Sequence, residues 1–242
     1  MKTNKLDTLL MDLDGTLLKL DMDSFLPKYM DDVAAFVNYD GGKKLFLKAF
    51  WTASLAMVED SNPQKTNEEV FFHTFCSLVG SSREKWQVLF ERYYRERFPL
   101  LGELSTFDPV SVKIVEEARR KNFFLVLATN PVFPRVAIEE RLKWADLKSH
   151  DFDFITSFEN MHFCKPNPGY YREILQKINR SPQQCLMLGN DAVEDMAAGE
   201  IGITTYLVED MLIESKKQAP KYDFRGTLQD FLSFLQDLPP AL

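Results

Sequence analysis

Leu9-Leu10-Met11-Asp12-Leu13-Asp14-Gly15-Thr16 is the stretch on which the fold turns. The apolar run Leu6 to Met11 reads as a buried strand, and it stops at two carboxylates two residues apart, followed at once by glycine. In open α/β sheets the crevice beyond the strand ends holds the ligands. Two acids at the end of a first strand therefore mark a place where chemistry is expected.

Working outward, the segment from about Met22 to Phe98 carries aromatic and aliphatic residues at helical spacing and reads as helix throughout. Within it, Ser82 precedes a helix that sets Trp86, Leu89, Phe90, Tyr93 and Tyr94 along one stripe. Thr66 and Asn67, followed by Glu68 and Glu69, form a helix N-terminus, and Gly80 its end. From Asp108 the pattern changes. Asp108-Pro109 caps a helix running to Arg120, after which Phe123–Ala128, Phe154–Thr156, Cys185–Leu188 and Thr204–Val208 read as strands. Helical patterns near Pro134–Trp144, Pro168–Ile178 and Val193–Glu200 lie between them. This alternation predicts an α/β fold, a doubly wound parallel sheet with helices on both faces. Residues 1–19 and 107–242 would form the core, and residues 20–106 an inserted α-helical cap. The chain from Lys216 onward, with Tyr222 to Phe224 and a helix over Thr227 to Leu235, is expected to complete the core.

Composition narrows the function classes. With 242 residues and 45% hydrophobic content the chain can bury a sizeable core, and its net charge of −7 speaks against nucleic acid or an anionic membrane as a partner. Cys76, Cys164 and Cys185 are odd in number and form no CxxC pair, which fits reduced thiols in a cytoplasmic protein. The longest mainly apolar segment, Leu45 to Val58, is too short for a bilayer. The sequence leaves the oligomeric state open.

Three later strand ends also deliver polar residues. Thr129-Asn130 follows the Phe123 strand, Lys165-Pro166 lies after the Phe154 strand, and Gly189-Asn190-Asp191 follows the Cys185 strand. Parallel strands bring these ends to one edge, so carboxylates, a hydroxyl and a cation would meet there, an inventory suited to phosphoryl transfer. With these residues in order, the chain resembles the haloacid dehalogenase-like superfamily, whose first motif is matched by Asp12-Leu13-Asp14-Gly15-Thr16. Thr129-Asn130 resembles the second motif, Lys165-Pro166 the third and Asp191-Ala192-Val193-Glu194-Asp195 the fourth. Asn190 departs from the pattern, because the family often has Gly-Asp contiguous at that point.

The resemblance implies a Mg²⁺-dependent phosphatase acting on a small phosphorylated metabolite. Asp12 would be the nucleophile that forms an aspartyl-phosphate, and Asp14 the acid and base. The Asp12 carboxylate, the Asp14 backbone carbonyl and the Asp191 carboxylate would hold Mg²⁺. Thr129, Asn130 and Lys165 would bind the phosphate, and Asp195, rather than Glu194, would orient Lys165 or a metal-bound water. Asp14 points away from dehalogenation, since dehalogenases of the superfamily lack this second aspartate. A phosphomutase acting on a phosphosugar and a non-catalytic regulatory protein retaining the fold are the alternatives.

Other residues read more plainly. His73, His150 and His162 show no metal-ligand spacing, and Cys164 has no evident base partner. Arg92, Arg95 and Arg97 are expected in solvent, and Phe50, Trp51, Phe71, Phe72 and Phe75 in the core of the cap. Asp21 and Asp23 suit a hinge or a solvated turn.

Overall fold

A computed structural model describes residues 6–215 and 221–241. The sheet has six strands, all parallel, in the order β3-β2-β1-β4-β5-β6. They are β1 (Thr8–Met11), β2 (Phe124–Leu127), β3 (Phe154–Ile155), β4 (Cys185–Gly189), β5 (Thr204–Val208) and β6 (Phe224–Gly226). Side chains alternate across a strand. Leu9, Met11, Leu125, Leu127, Leu186 and Leu188 accordingly enter one buried layer, while Leu10, Val126 and Met187 enter the other. A sheet covered on both faces needs such continuous apolar strands.

The first layer is shared with α5 (Pro109–Arg120), α6 (Arg135–Trp144) and α8 (Leu228–Asp237), and the second with α7 (Pro168–Ile178). The residues that start α5 and α7 are those legible in the sequence. Asp108 accepts from Val110 N at 2.9 Å and Asn167 from Gly169 N at 2.8 Å, each with proline as the next residue.

Four helices lie between β1 and α5. They are α1 (Met22–Val37), α2 (Lys43–Glu59), α3 (Asn67–Val79) and α4 (Arg83–Glu96), followed by a 3₁₀ segment at Phe98–Leu104. Lys19 and Thr106 pair antiparallel, so the chain leaves toward these helices and returns from them side by side. Thr66 and Glu69 form a reciprocal capping box at the start of α3, and Gly80 ends it in the left-handed region. Phe46, Phe71, Phe75, Trp86 and Phe90 pack ring on ring inside the block. Backbone bonds from Asn67 N to Met161 O and from Glu68 N to Phe158 O, both 2.8 Å, fasten the start of α3 to loops of the α/β core.

Two expectations need correction. No α-helix spans Val193–Glu200. Asp191 accepts from Val193 N and Glu194 N as a helix cap would, but the buried Asp195 carboxylate is tied to Asp191 N and Lys165, and the chain beyond it tightens to a 3₁₀ segment at Met196–Ile201, with Ala198 N bonding to Asp195 O at 3.2 Å. Tyr222 and Phe224, expected to complete the core, stay exposed, because the last strand, Phe224–Gly226, is the edge of the sheet. The part of the expected C-terminal completion that falls on residues 216–220 lies outside the described residues. Among the described residues no helix is long and apolar enough to cross a membrane.

Candidate active site

The strand order reverses between β1 and β4, and the residues leaving those two strands meet at that point. Asp12 N bonds to Leu188 O at 2.9 Å, which sets the first acidic turn against the end of β4. Gly15 adopts φ +81°, and a Cβ there would run into the Asn190 side chain, so the turn requires glycine twice over. Asn190, the departure from the family pattern, serves as the clasp. It accepts from Thr16 Oγ1 at 3.0 Å and donates to Met211 O at 2.6 Å.

Lys165 is buried, and its ammonium donates to Asp12 Oδ1 at 2.8 Å and to Asp195 Oδ1 at 2.6 Å. Burial alone would drive this amine toward neutrality, but Asp12 and Asp195 outweigh it and hold its pKa well above the usual range. The same burial raises the Asp195 carboxyl, while Lys165 opposes that rise. Asp195 also receives Asp191 N at 2.9 Å through its other oxygen. A Cβ on Gly189 would occupy the space of that carboxylate. Gly189→Ala is therefore expected to cost about 1–3 kcal/mol in a urea melt and to weaken turnover by displacing Asp195 from Lys165.

Asp14 stands apart from this ion pair. One of its oxygens meets the guanidinium of Arg141, a residue of α6 with no exposure, and the other is buried without a hydrogen-bond partner. Burial lifts the Asp14 carboxyl above the ordinary carboxylate range, with Arg141 opposing the rise and Asp12 adding to it. Arg141 also lies over the Phe133 ring, 4.3 Å from its centroid. The sequence did carry a signal for it, since a lone arginine falls on the α6 stripe otherwise made of Ala137, Ile138 and Leu142.

The remaining candidates gather around this centre. Asp191 uses Oδ1 to accept from Val193 N and Glu194 N at 2.7 and 2.8 Å. Thr129 is buried, and its carbonyl is held by Thr156 Oγ1 and by the Tyr170 hydroxyl at 2.8 and 2.9 Å. The Asn130 side chain bridges two loops, donating to Glu194 at 2.9 Å and accepting from Lys165 N at 3.3 Å. Glu194 thereby joins the site. Burial pushes its carboxyl up to about 7, Lys165 pulling down and Asp191 and Asp12 adding to the rise. Tyr171, which the sequence gave no reason to single out, donates to Glu194 O at 2.7 Å.

A pocket of about 380 Å³ opens over these groups, and Asp12, Asp14, Thr129, Asn130, Asp191 and Glu194 all line it. Among the described residues no three His, Cys, Asp or Glu side chains form a metal-holding group on their own. A set drawing on the Asp12 and Asp191 carboxylates and the Asp14 backbone carbonyl is all oxygen. With Glu194 alongside and Lys165 already shared by two carboxylates, it fits a hard divalent cation.

His162 and Cys164 are occupied elsewhere. His162 Nδ1 lies 2.7 Å from Glu173, and burial pushes the Cys164 thiol well up while Asn67 donates to its sulfur at 3.3 Å. Arg97 pairs with Asp32, Arg92 covers Phe36, and Asp21 caps α1. Phe71, Phe72 and Phe75 are buried, but Trp51 is not in the core as expected. It is 48% exposed, on the pocket wall.

The profile of a family described as haloacid dehalogenase-like hydrolase matches residues 6–201. The chain is 25% identical over 211 residues to a glyceraldehyde 3-phosphate phosphatase of Methanothermobacter thermautotrophicus, covering 80% of this chain and 92% of that protein. Among solved structures, a HAD phosphatase from Thermococcus onnurineus superposes with a TM-score of 0.59 at 20% identity, over 97% of this chain and 100% of its own. An L-2-haloacid dehalogenase from Xanthobacter autotrophicus does so with a TM-score of 0.57 at 14% identity, covering 96% of this chain and 99% of that one.

Proposed function

The chain belongs to the haloacid dehalogenase-like hydrolases, and on that premise we propose that it is a Mg²⁺-dependent phosphatase of small phosphomonoesters, working through an aspartyl-phosphate on Asp12. Support comes from the arrangement of two carboxylates in one turn. Asp12 faces a cation, whereas Asp14 is a buried carboxyl with a raised pKa and one oxygen lacking a partner. Neighbouring carboxyl groups held in contrasting environments suit separate roles as nucleophile and acid. The unpartnered Asp14 oxygen is the observation that carries the reading, because a leaving-group oxygen would complete it.

In this reading an Asp12 carboxylate oxygen attacks phosphorus and forms a P–O bond. The ester P–O bond breaks, and the departing oxygen takes the proton of Asp14. Asp14, now a carboxylate, then accepts a proton from water as that water bonds to phosphorus and the P–O bond to Asp12 breaks, releasing inorganic phosphate. Such acid–base assistance is worth roughly 10²–10⁴-fold. Lys165 offsets the charge of Asp12 and of the entering phosphoryl group, and Thr129 donates a hydrogen bond to a phosphoryl oxygen. Asp12, Asp191 and the Asp14 carbonyl would hold Mg²⁺, which when bound supplies charge neutralisation for the transferring phosphoryl group. The helical block over residues 20–106 acts as the cap that keeps bulk water from the acyl phosphate.

The reading extends to this chain the phosphatase activity in the name of its archaeal relative. It also favours ester hydrolysis over carbon–halogen cleavage, in which no alcohol oxygen leaves for Asp14 to protonate. Purified protein is expected to release phosphate from a panel of monoesters, to stop on addition of EDTA and to recover when Mg²⁺ is restored. Release that survives EDTA, or no release across the panel, contradicts the proposal.

A further inference from the structure

The pocket above Asp12 has two unlike halves. Its floor is acidic and polar, but much of its wall is built from Met22, Leu26 and Met30 of α1 and from Trp51, Leu55 and Val58 of α2. Each set recurs at helical spacing, so each forms one stripe turned to the pocket. Trp51, Leu55 and Val58 are 48%, 41% and 38% exposed, respectively, although the same helices bury other large apolar residues completely. Apolar side chains left open over a concave site mark a surface for a ligand.

Polar groups on this wall are few and already bonded within the protein. Ser54 donates to Phe50 O at 3.0 Å, and the Tyr29 hydroxyl is paired with that of Tyr94 at 2.6 Å. Among the described residues no Lys, Arg or His side chain lines the pocket. A leaving group bearing a carboxylate would meet acids on the floor and no cation on the wall. One rich in hydroxyls would find few partners on a wall built mostly from Met, Leu, Val and Trp side chains, which is costly.

We infer that the substrates are monoesters whose alcohol is apolar, an aryl-methyl or branched or linear alkyl group, seated on the α1–α2 wall with its phosphate at Asp12. This inference rests on the phosphatase reading for turnover, but its claim about the wall can be measured without turnover.

The test compares benzyl and hexyl phosphate with methyl phosphate, glyceraldehyde 3-phosphate and 3-phosphoglycerate. Benzyl, hexyl and methyl phosphate release alcohols of similar acidity, so differences among the three report on the wall. Benzyl and hexyl phosphate are expected to show kcat/KM roughly 10²-fold above the other three. Trp51→Ala should lower the benzyl-to-methyl ratio roughly tenfold, and Leu55→Lys should raise 3-phosphoglycerate relative to benzyl phosphate. Equal or better use of the polar esters, or a benzyl-to-methyl ratio unmoved by Trp51→Ala, overturns the inference and leaves the phosphatase reading standing.

Binding of benzylphosphonate and methylphosphonate is followed in parallel by tryptophan fluorescence, with Trp51→Phe identifying the signal of Trp51. If no ester is hydrolysed, the phosphatase reading fails. Tighter binding of benzylphosphonate then still supports the apolar wall, and equal or absent binding of the two phosphonates overturns it.

Discussion

Asp12→Asn is expected to lower kcat by at least about 10³-fold without lowering the melting temperature. The amide keeps the size of the carboxylate and an oxygen for Lys165, but it is not a nucleophile toward phosphorus. Stability should hold because Lys165 is shared: its 2.6 Å bond to Asp195 remains after the charge on Asp12 is gone. Asp12 also raises the carboxyls of Asp14, Glu194 and Asp195 through repulsion, so its neutralisation relieves strain between like charges. Active sites commonly accept such repulsion for function, and removing it leaves a protein as stable or more so. Thermal melts beside phosphate-release kinetics check both halves. A variant retaining more than a tenth of its activity, or one that melts several degrees lower, contradicts the assignment.

Lys165→Met should be damaging in both respects. The ammonium is fully buried and holds Asp12 and Asp195 together, so its loss leaves two buried carboxylates facing each other without a cation. Breaking a buried pair in this way costs about 3–5 kcal/mol. Asp195→Asn added to Lys165→Met should recover part of that stability by removing one of the stranded charges, but not the activity, because charge compensation at the phosphoryl group is still missing. Urea unfolding of the single and double variants measures the recovery. A loss under about 1 kcal/mol for Lys165→Met would mean that the ion pair is not the clamp described.

Much of this architecture is legible in local sequence because its signals are local. The apolar run into Asp12, the capping residues Asp108 and Asn167 with the prolines after them, and the capping box at Thr66 each act within a few residues. What was less legible depends on distant partners. Arg141 meets Asp14 across 127 positions, and only its place on an apolar helical stripe hints at a buried role. Trp51 was expected in a cap core because helical periodicity assigns a face but cannot say whether that face meets protein or a pocket. The helix expected over Val193–Glu200 failed for a nearer reason. Asp191 caps the segment as it would a helix, but the Asp195 carboxylate is held by Asp191 N and Lys165 in the site, and the backbone after it closes with i→i+3 bonds, which no local spacing of apolar residues announces. Spacing alone favours Asp195 over Glu194, yet the turn brings both into the site, Asp195 on Lys165 and Glu194 on Asn130.

Covalent catalysis by Asp12 would leave a phosphorylated enzyme that rapid acid quench of a single turnover can trap. With ³²P-labelled ester, excess enzyme and Mg²⁺, transient label is expected on the peptide containing Asp12, stable in acid, released by hydroxylamine and absent from Asp12→Asn. Phosphate release at the full rate with no label on that peptide, or equal labelling of Asp12→Asn, would contradict it.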